Sequence, residues 1–288
     1  MTSSFETTRW DRNLLWMTPP LVEAVNQAHL VIIGCGGMGI AFIVNAAHLG
    51  FRKFTLCDPD TLDETNLNRY PIALPDQVGQ PKVEVIQSYL TARFPEFVVD
   101  CIPEAFPNER ILPALSSATQ VVSCLDRVHT RIEADVLCRK HRCGLIDLGA
   151  GFILDSTTGM PIVAGGQVLL SRPDGPCLMC LGFAGDVVGA NTYFAPLTDR
   201  PEPSSLLLNS VVAALGVECL LKELPDQDWG VNRVNYERNT LSCRTELLPS
   251  RPDCRVCGVE AEEDILSVTE GKQLGQLLTE EGIACKTA

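Results

Sequence analysis

The segment His29-Leu-Val-Ile-Ile-Gly34-Cys-Gly-Gly-Met-Gly39 constrains this 288-residue chain more than any other. An apolar run of strand length ends in GxGxxG, a helix-forming stretch comes next over 38–49, and a second apolar run over 54–58 closes the unit on Asp58. That order predicts a β-loop-α-β unit. In it Gly34, Gly36, Gly37 and Gly39 permit a tight turn and bring phosphates onto backbone amides at the positive end of the helix. A carboxylate at the next strand tip, Asp58, is placed to accept hydrogen bonds from ribose hydroxyls. The pattern specifies a nucleotide without saying which one, and its plainer alternative is a glycine-rich turn with no ligand.

Beyond this unit the pattern keeps alternating: helix over 80–93, strand over 97–102, short helix over 111–116, strand over 119–125, helix over 131–140 and strand over 144–148. Such alternation predicts a parallel sheet with helices on both faces. After residue 150 the segments 165–172 and 231–247 are strand-like and flank an apolar helix over 206–221. They are expected to extend the same sheet with antiparallel strands. The fold class is therefore α/β, a Rossmann-like and mostly parallel sheet extended by antiparallel strands. Its halves are a nucleotide-binding one over about 26–150 and a second over about 151–258. Residues 182–203, rich in Gly, Pro, Asp and Asn, have the composition of a mobile crossing loop. Residues 259–288 carry seven acidic and two basic residues and read as an acidic C-terminal tail.

Composition decides which partners suit such a chain. Lys and Arg total 23 against 36 Asp and Glu, a formal net charge of −13 that repels nucleic acid and anionic membrane. Neither is an expected partner, and a polyanionic ligand must be gathered by local cations. The run over 206–221 contains Asn209, Ser210 and Glu218 and is too short to span a bilayer. The first thirty residues lack a basic segment followed by an apolar one, so no secretory signal is visible and a cytoplasmic location is expected. Thirteen cysteines then read as reduced thiols and metal ligands rather than disulfides.

The residues after Asp58 separate ATP from a dinucleotide. In Asp58-Pro-Asp60-Thr-Leu-Asp-Glu-Thr-Asn66-Leu-Asn-Arg69 and Gly79-Gln-Pro-Lys82, Asp60, Asn66, Arg69 and Lys82 lie on segments leaving the carboxyl edge of the sheet and are candidate nucleotide-binding residues. Asn66, Arg69 and Lys82 together suit a triphosphate. Asp126, just after the strand Val121-Val-Ser-Cys-Leu125, is placed at the same edge, where a carboxylate can hold Mg²⁺ bridging phosphate oxygens. Taken singly, Arg69 and Lys82 are equally solvated charges and Asp126 a loop residue or helix cap.

Two CxxC knuckles, Cys177-Leu-Met-Cys180 and Cys254-Arg-Val-Cys257, lie 73 residues apart. Four thiolates make the tetrahedral set that Zn²⁺ takes in closed structural sites; a redox pair is the rival reading. Cys35, Cys57, Cys101, Cys124, Cys138, Cys143 and Cys219 read as small core residues, and Cys243 as packing within a strand. The four histidines show no metal or triad spacing.

Together the glycine loop, the DxD…TNLNR segment, GQPK, the SCLD strand end and the two CxxC pairs resemble the ThiF/MoeB-type adenylyltransferases, relatives of ubiquitin-activating enzymes. The resemblance runs from Arg9 to about Gly258 and makes 1–258 one adenylation domain. It implies an enzyme that uses ATP and Mg²⁺ to convert the C-terminal carboxylate of a small ubiquitin-like or sulfur-carrier protein into an acyl adenylate. On the matching positions it implies that Asp58 holds the ribose and that Asn66, Arg69 and Lys82 hold phosphates. Asp126 then holds Mg²⁺, and zinc sits on Cys177, Cys180, Cys254 and Cys257. Arg12, in Arg9-Trp-Asp-Arg12-Asn, matches an arginine that enters the partner subunit's site, which implies a homodimer. Where the family commonly has Asn after the strand-end Asp, this chain has Arg127.

Thioester-forming members carry a nucleophilic cysteine in the crossing loop, and residues 181–208 contain none. That argues for release of the adenylate to another nucleophile, such as a downstream conjugating or sulfur-transfer enzyme; Cys243 and Cys285 are the remaining thiols to test. Adenylation of a peptide or a tRNA-linked carboxylate is the alternative within the enzyme class, and the charge counts against RNA without excluding it. The alternative outside catalysis is a nucleotide-binding scaffold subunit of a heterodimeric complex. Retention of Arg12, Arg69, Lys82 and Asp126 speaks against that.

Overall fold

The structure, a computed structural model, describes residues 8–258 apart from 156, 159, 183–202, 225–228 and 255. Residues 183–202 of the expected crossing loop and the acidic tail therefore lie outside the described residues, as does Cys285.

The chain opens with one helical turn, α1 (Asp11–Leu14), and a helix, α2 (Pro19–Gln27), neither of which the sequence pattern predicts. Pro19 sits at the first helical position, where its missing N–H costs nothing. Next come β1 (His29–Ile33), α3 (Gly37–Leu49), β2 (Lys53–Cys57), α4 (Lys82–Arg93), β3 (Val98–Ile102), α5 (Leu112–Ser117), β4 (Gln120–Ser123), α6 (Val128–Lys140) and β5 (Leu145–Leu154). The second half supplies β6 (Pro161–Ser171), α7 (Leu206–Glu223), β7 (Arg233–Glu237) and β8 (Ser242–Glu246). The strand-like stretch over 231–247 is thus a hairpin of two strands. Its turn places Leu241 at positive φ.

All eight strands form one sheet in the order β3-β2-β1-β4-β5-β6-β7-β8. The first five are parallel and β6, β7 and β8 are antiparallel additions, as the alternation and its breakdown predict. Alternate residues of β1 serve different layers. Leu30 and Ile32 pack with α2, α3, α4 and α7, while Val31 and Ile33 pack with α5 and α6. The nearly continuous apolar run of β1 results from burial on both faces. Strand β5 runs well past the end predicted for it, through position 150, so the sheet is continuous between the two halves. Its extra length pairs with β6 across Gly149–Gln167 and Gly151–Gly165. Among the described residues no helix is long and apolar enough to cross a membrane.

Candidate functional site

Strands β1, β2, β4 and β5 all point their carboxyl ends to one edge, and most of the nucleotide-site residues singled out by sequence collect there. Gly34 takes φ +92°, and a Cβ on it would stand 2.7 Å from the Cys124 carbonyl oxygen. Gly39 would place a Cβ 2.1 Å from the Gly34 oxygen. The first glycine therefore serves the turn and the last the packing of α3 onto it. Between them Gly36 faces open space within 4 Å of its missing Cβ, at the N-cap of α3, where backbone N–H groups lack intrahelical partners. That open position at a positive helix end is the cradle a phosphate needs. Gly37 lies against the Asn209 side chain, whose Nδ2 is 2.7 Å from the would-be Cβ, and against the Arg69 methylenes.

Asp58 comes directly after β2 and is buried. It accepts hydrogen bonds from Cys35 N at 2.6 Å and Asp60 N at 2.9 Å. Burial raises its titration, opposed by the nearby Lys82 ammonium and by those two amides. The carboxylate is thus tied to the glycine loop itself. Tyr70 completes the tie, its buried hydroxyl donating to Cys35 O at 2.9 Å. Sequence reasoning gives Tyr70 no role; its position beside Arg69 is the available signal.

The phosphate candidates differ in how they are held. Lys82, at the start of α4, is buried and donates to Asp60 Oδ2 at 2.6 Å. In this structure Asp60 therefore partners the lysine, with its own side chain 62% exposed. Arg69 is partly exposed, with its Nη1 donating to Thr65 O at 2.6 Å and Asn68 Oδ1 at 3.1 Å. Asn66 caps a turn, its Oδ1 accepting from Asp63 N while Asp63 Oδ1 accepts from Thr65 N. Asp126 is exposed in the bend between β4 and α6. A single carboxylate beside a phosphate cradle fits Mg²⁺, which keeps several waters and takes its other ligands from phosphates. Arg127 is the exposed N-cap residue of α6 and makes no side-chain cap bond.

Arg12 does not join this group. Its neighbour Asn13 donates to the His48 carbonyl, in the last turn of α3, and Trp10 stacks on Phe94 and Phe97. Those residues lie at the amino edge of the sheet. A 13-residue helix is about 20 Å long, more than an arginine side chain reaches, so exposed Arg12 is remote from the glycine loop of its own chain.

The two knuckles meet, and the four sulfurs of Cys177, Cys180, Cys254 and Cys257 all lie within 4.8 Å of one another. The Cys177–Cys254 and Cys180–Cys257 sulfur pairs are 3.4 Å apart. Tetrahedral zinc with Zn–S near 2.3 Å requires sulfurs about 3.8 Å apart, so the set fits the ion. Arg251 N donates to Cys180 Sγ at 3.3 Å, and Asp135 of α6 accepts from Leu178 N at 2.7 Å. The first bond ties the two knuckles to each other and the second braces them against α6. The described thiols are free, and Cys35, Cys57, Cys138, Cys143 and Cys219 are buried as expected. Cys101 and Cys124 are only partly buried, and Cys243 is exposed on β8 rather than packed, because the outermost strand has no further layer over it.

A family model described as "ThiF family" matches residues 10–253. The SAMP-activating enzyme E1 of Haloferax volcanii is 25% identical over 92% of this chain and 96% of its own length. The molybdopterin-synthase adenylyltransferase of Salmonella typhimurium is 26% identical over 82% of this chain and 89% of its own. Among solved structures, E. coli MccB with AMPCPP and MccA superposes with a TM-score of 0.69 at 25% identity, covering 89% of this chain and 75% of that one. The glycine loop tied to Asp58 and the carboxyl-edge cations fall within the matched region, and the chain belongs to the ThiF family.

Proposed function

We propose that this protein is an ATP- and Mg²⁺-dependent adenylyltransferase that activates the C-terminal carboxylate of a small ubiquitin-like or sulfur-carrier protein. The observation that carries the reading is the open Gly36 position at the head of α3, with Asp58 fixed to the loop beside it and Arg69, Lys82 and Asp126 on segments around it. The relatives named as E1 and adenylyltransferase support it.

In the reaction an oxygen of the incoming carboxylate attacks the α-phosphorus of ATP. A new O–P bond forms as the bond to the bridging oxygen breaks, and pyrophosphate leaves with that bond's electron pair. Asp58 orients the ribose, and the amides of the α3 N-terminus hold the phosphates. Arg69 and Lys82 stabilise the charge that grows on the leaving group, with Asn66 beside them. Lys82 must exchange Asp60 for phosphate to do so. Mg²⁺, held by Asp126, would neutralise phosphate charge. Zinc on the four cysteines serves stability. Arg12, too far from its own site, is supplied to the site of a second copy, which makes the working unit a homodimer. With no cysteine over 181–208, the acyl adenylate passes to a nucleophile of another protein, such as a conjugating or sulfur-transfer enzyme.

ATP–pyrophosphate exchange measured with candidate carrier proteins tests this. Exchange is expected only with a carrier bearing a free C-terminal carboxylate, and blocking that carboxylate as an amide abolishes it. Exchange driven by a short peptide or by a tRNA-linked carboxylate would replace the carrier reading. The absence of both exchange and ATP binding would leave a scaffold subunit.

A further inference from the structure

Asp147, on β5, is fully buried, where a carboxylate is costly unless paired. Its partner is Arg131, in the first turns of α6, itself 3% exposed. The guanidinium donates to acceptors on β5 and on the chain just past the end of β4. Nη1 donates to Asp147 Oδ2 at 3.1 Å and Nη2 to Leu148 O at 2.9 Å, both on β5. Nε donates to Leu125 O at 2.5 Å, on the residue immediately before Asp126. Because the guanidinium is planar and rigid, holding two of these acceptors fixes the third.

The strand end it holds is also tied by backbone bonds, by Thr130 Oγ1 donating to Arg127 O at 2.9 Å, and by Leu125 packing on the apolar layer beside α5 and α6. Cys124 N donates to Ile33 O at 2.8 Å, and Arg127 O accepts from Arg131 N at 3.2 Å in the first turn of α6. Between these two bonds, the Arg131 guanidinium on Leu125 O anchors the backbone leading into Asp126. The same strand end abuts the glycine loop, since the missing Cβ of Gly34 lies 2.7 Å from Cys124 O. A shift of Leu125 would therefore move Asp126 relative to the phosphate cradle.

We propose that Asp147 is a positioning residue for the divalent cation: through Arg131 it fixes the Leu125 carbonyl and with it the place of the Asp126 carboxylate. The inference rests on the reading of Asp126 as the cation ligand. A buried ion pair is a weak source of stability compared with apolar packing, and this one places a donor on the chain leading into Asp126 instead of on β5 alone.

The test is Mn²⁺ binding in the presence of AMPCPP, followed by electron paramagnetic resonance, alongside thermal unfolding. Asp147→Asn keeps the shape and removes the charge; Arg131→Lys keeps the charge and loses the fork. The double variant Asp147→Asn/Arg131→Gln avoids leaving one buried charge alone. In each the Mn²⁺ dissociation constant is expected to rise about ten-fold, the usual cost of losing an outer-shell partner. Arg131→Lys should recover stability relative to Asp147→Asn without recovering Mn²⁺ affinity. Unchanged Mn²⁺ affinity in a folded double variant would overturn the positioning role while leaving the adenylation reading intact. Wild-type Mn²⁺ affinity in Asp126→Ala would instead remove the metal assignment beneath both.

Discussion

The carboxyl edge and the thiol knuckle treat their functional groups in opposite ways. At the edge Asp126 and Arg127 are exposed and Arg69 is partly so, while buried Lys82 spends its charge on an exposed aspartate. In the knuckle Cys177, Cys180 and Cys254 are buried, Cys257 is half-buried, and the supporting donors and acceptors are already engaged. A site that must admit and release ATP needs loosely committed charges, whereas a site that only holds an ion gains from being closed. Substitutions should therefore separate activity from stability according to which region they touch.

The largest effect is expected at Asp126. Asp126→Ala should lower ATP–pyrophosphate exchange on the order of 10³-fold, equivalent to about 4 kcal/mol. Its exposure should leave stability within about 0.5 kcal/mol. Arg12→Ala should also be inactive. Mixing the two dead proteins should restore roughly a quarter of wild-type exchange, because half of the random dimers then hold one intact site. No recovery on mixing would return Arg12 to a surface role and remove the case for a dimer.

The knuckle should respond the other way. Cys177→Ser, or removal of zinc by a chelator, is expected to lower the melting temperature by roughly 10 °C, as a loss of several kcal/mol does for a chain of this size. Exchange per folded molecule at 25 °C should stay within about two-fold of wild type, since the thiols lie apart from the carboxyl-edge residues and a four-thiolate set suits a closed structural ion. Elemental analysis should find one zinc per chain. A full loss of exchange in a protein that remains folded would break the division between the two regions.

How much of each region is legible in the sequence depends on the distance over which its signal acts. Strand β1 and the glycine loop are legible because apolar period, turn and helix start lie within a dozen residues. The knuckle is legible because CxxC is local, although only the fold can bring two pairs with 73 residues between them to within 4.8 Å. The bonds that organise the site are not legible. Tyr70 reaches back 35 residues to Cys35 O, and Arg131 joins β5 to the end of β4 through a side chain that reads in sequence as an ordinary helical charge. Asn209 is visible as a polar residue in an apolar run, but its place against Gly37 depends on α7 starting beside α3. Cys243 departs from its expected packing because strand periodicity does not say which strand lies at the edge.

The smallest effect, at Asp60, bears most directly on how the carboxyl edge works. Sequence places Asp60 among the nucleotide-binding residues, yet its carboxylate holds the Lys82 ammonium at 2.6 Å. With its side chain 62% exposed, the pair contributes little to stability, so Asp60→Asn should change the unfolding free energy by about 1 kcal/mol at most. If the pair only stores Lys82 until a triphosphate arrives, the asparagine variant frees the ammonium. The KM for ATP should then fall by roughly two- to five-fold with little change in kcat, since the competing ion pair sets a cost of similar size. If Asp60 itself meets the nucleotide or its cation, the same substitution raises KM. The sign of one constant therefore decides whether this residue belongs to the ligand or to the lysine that waits for it.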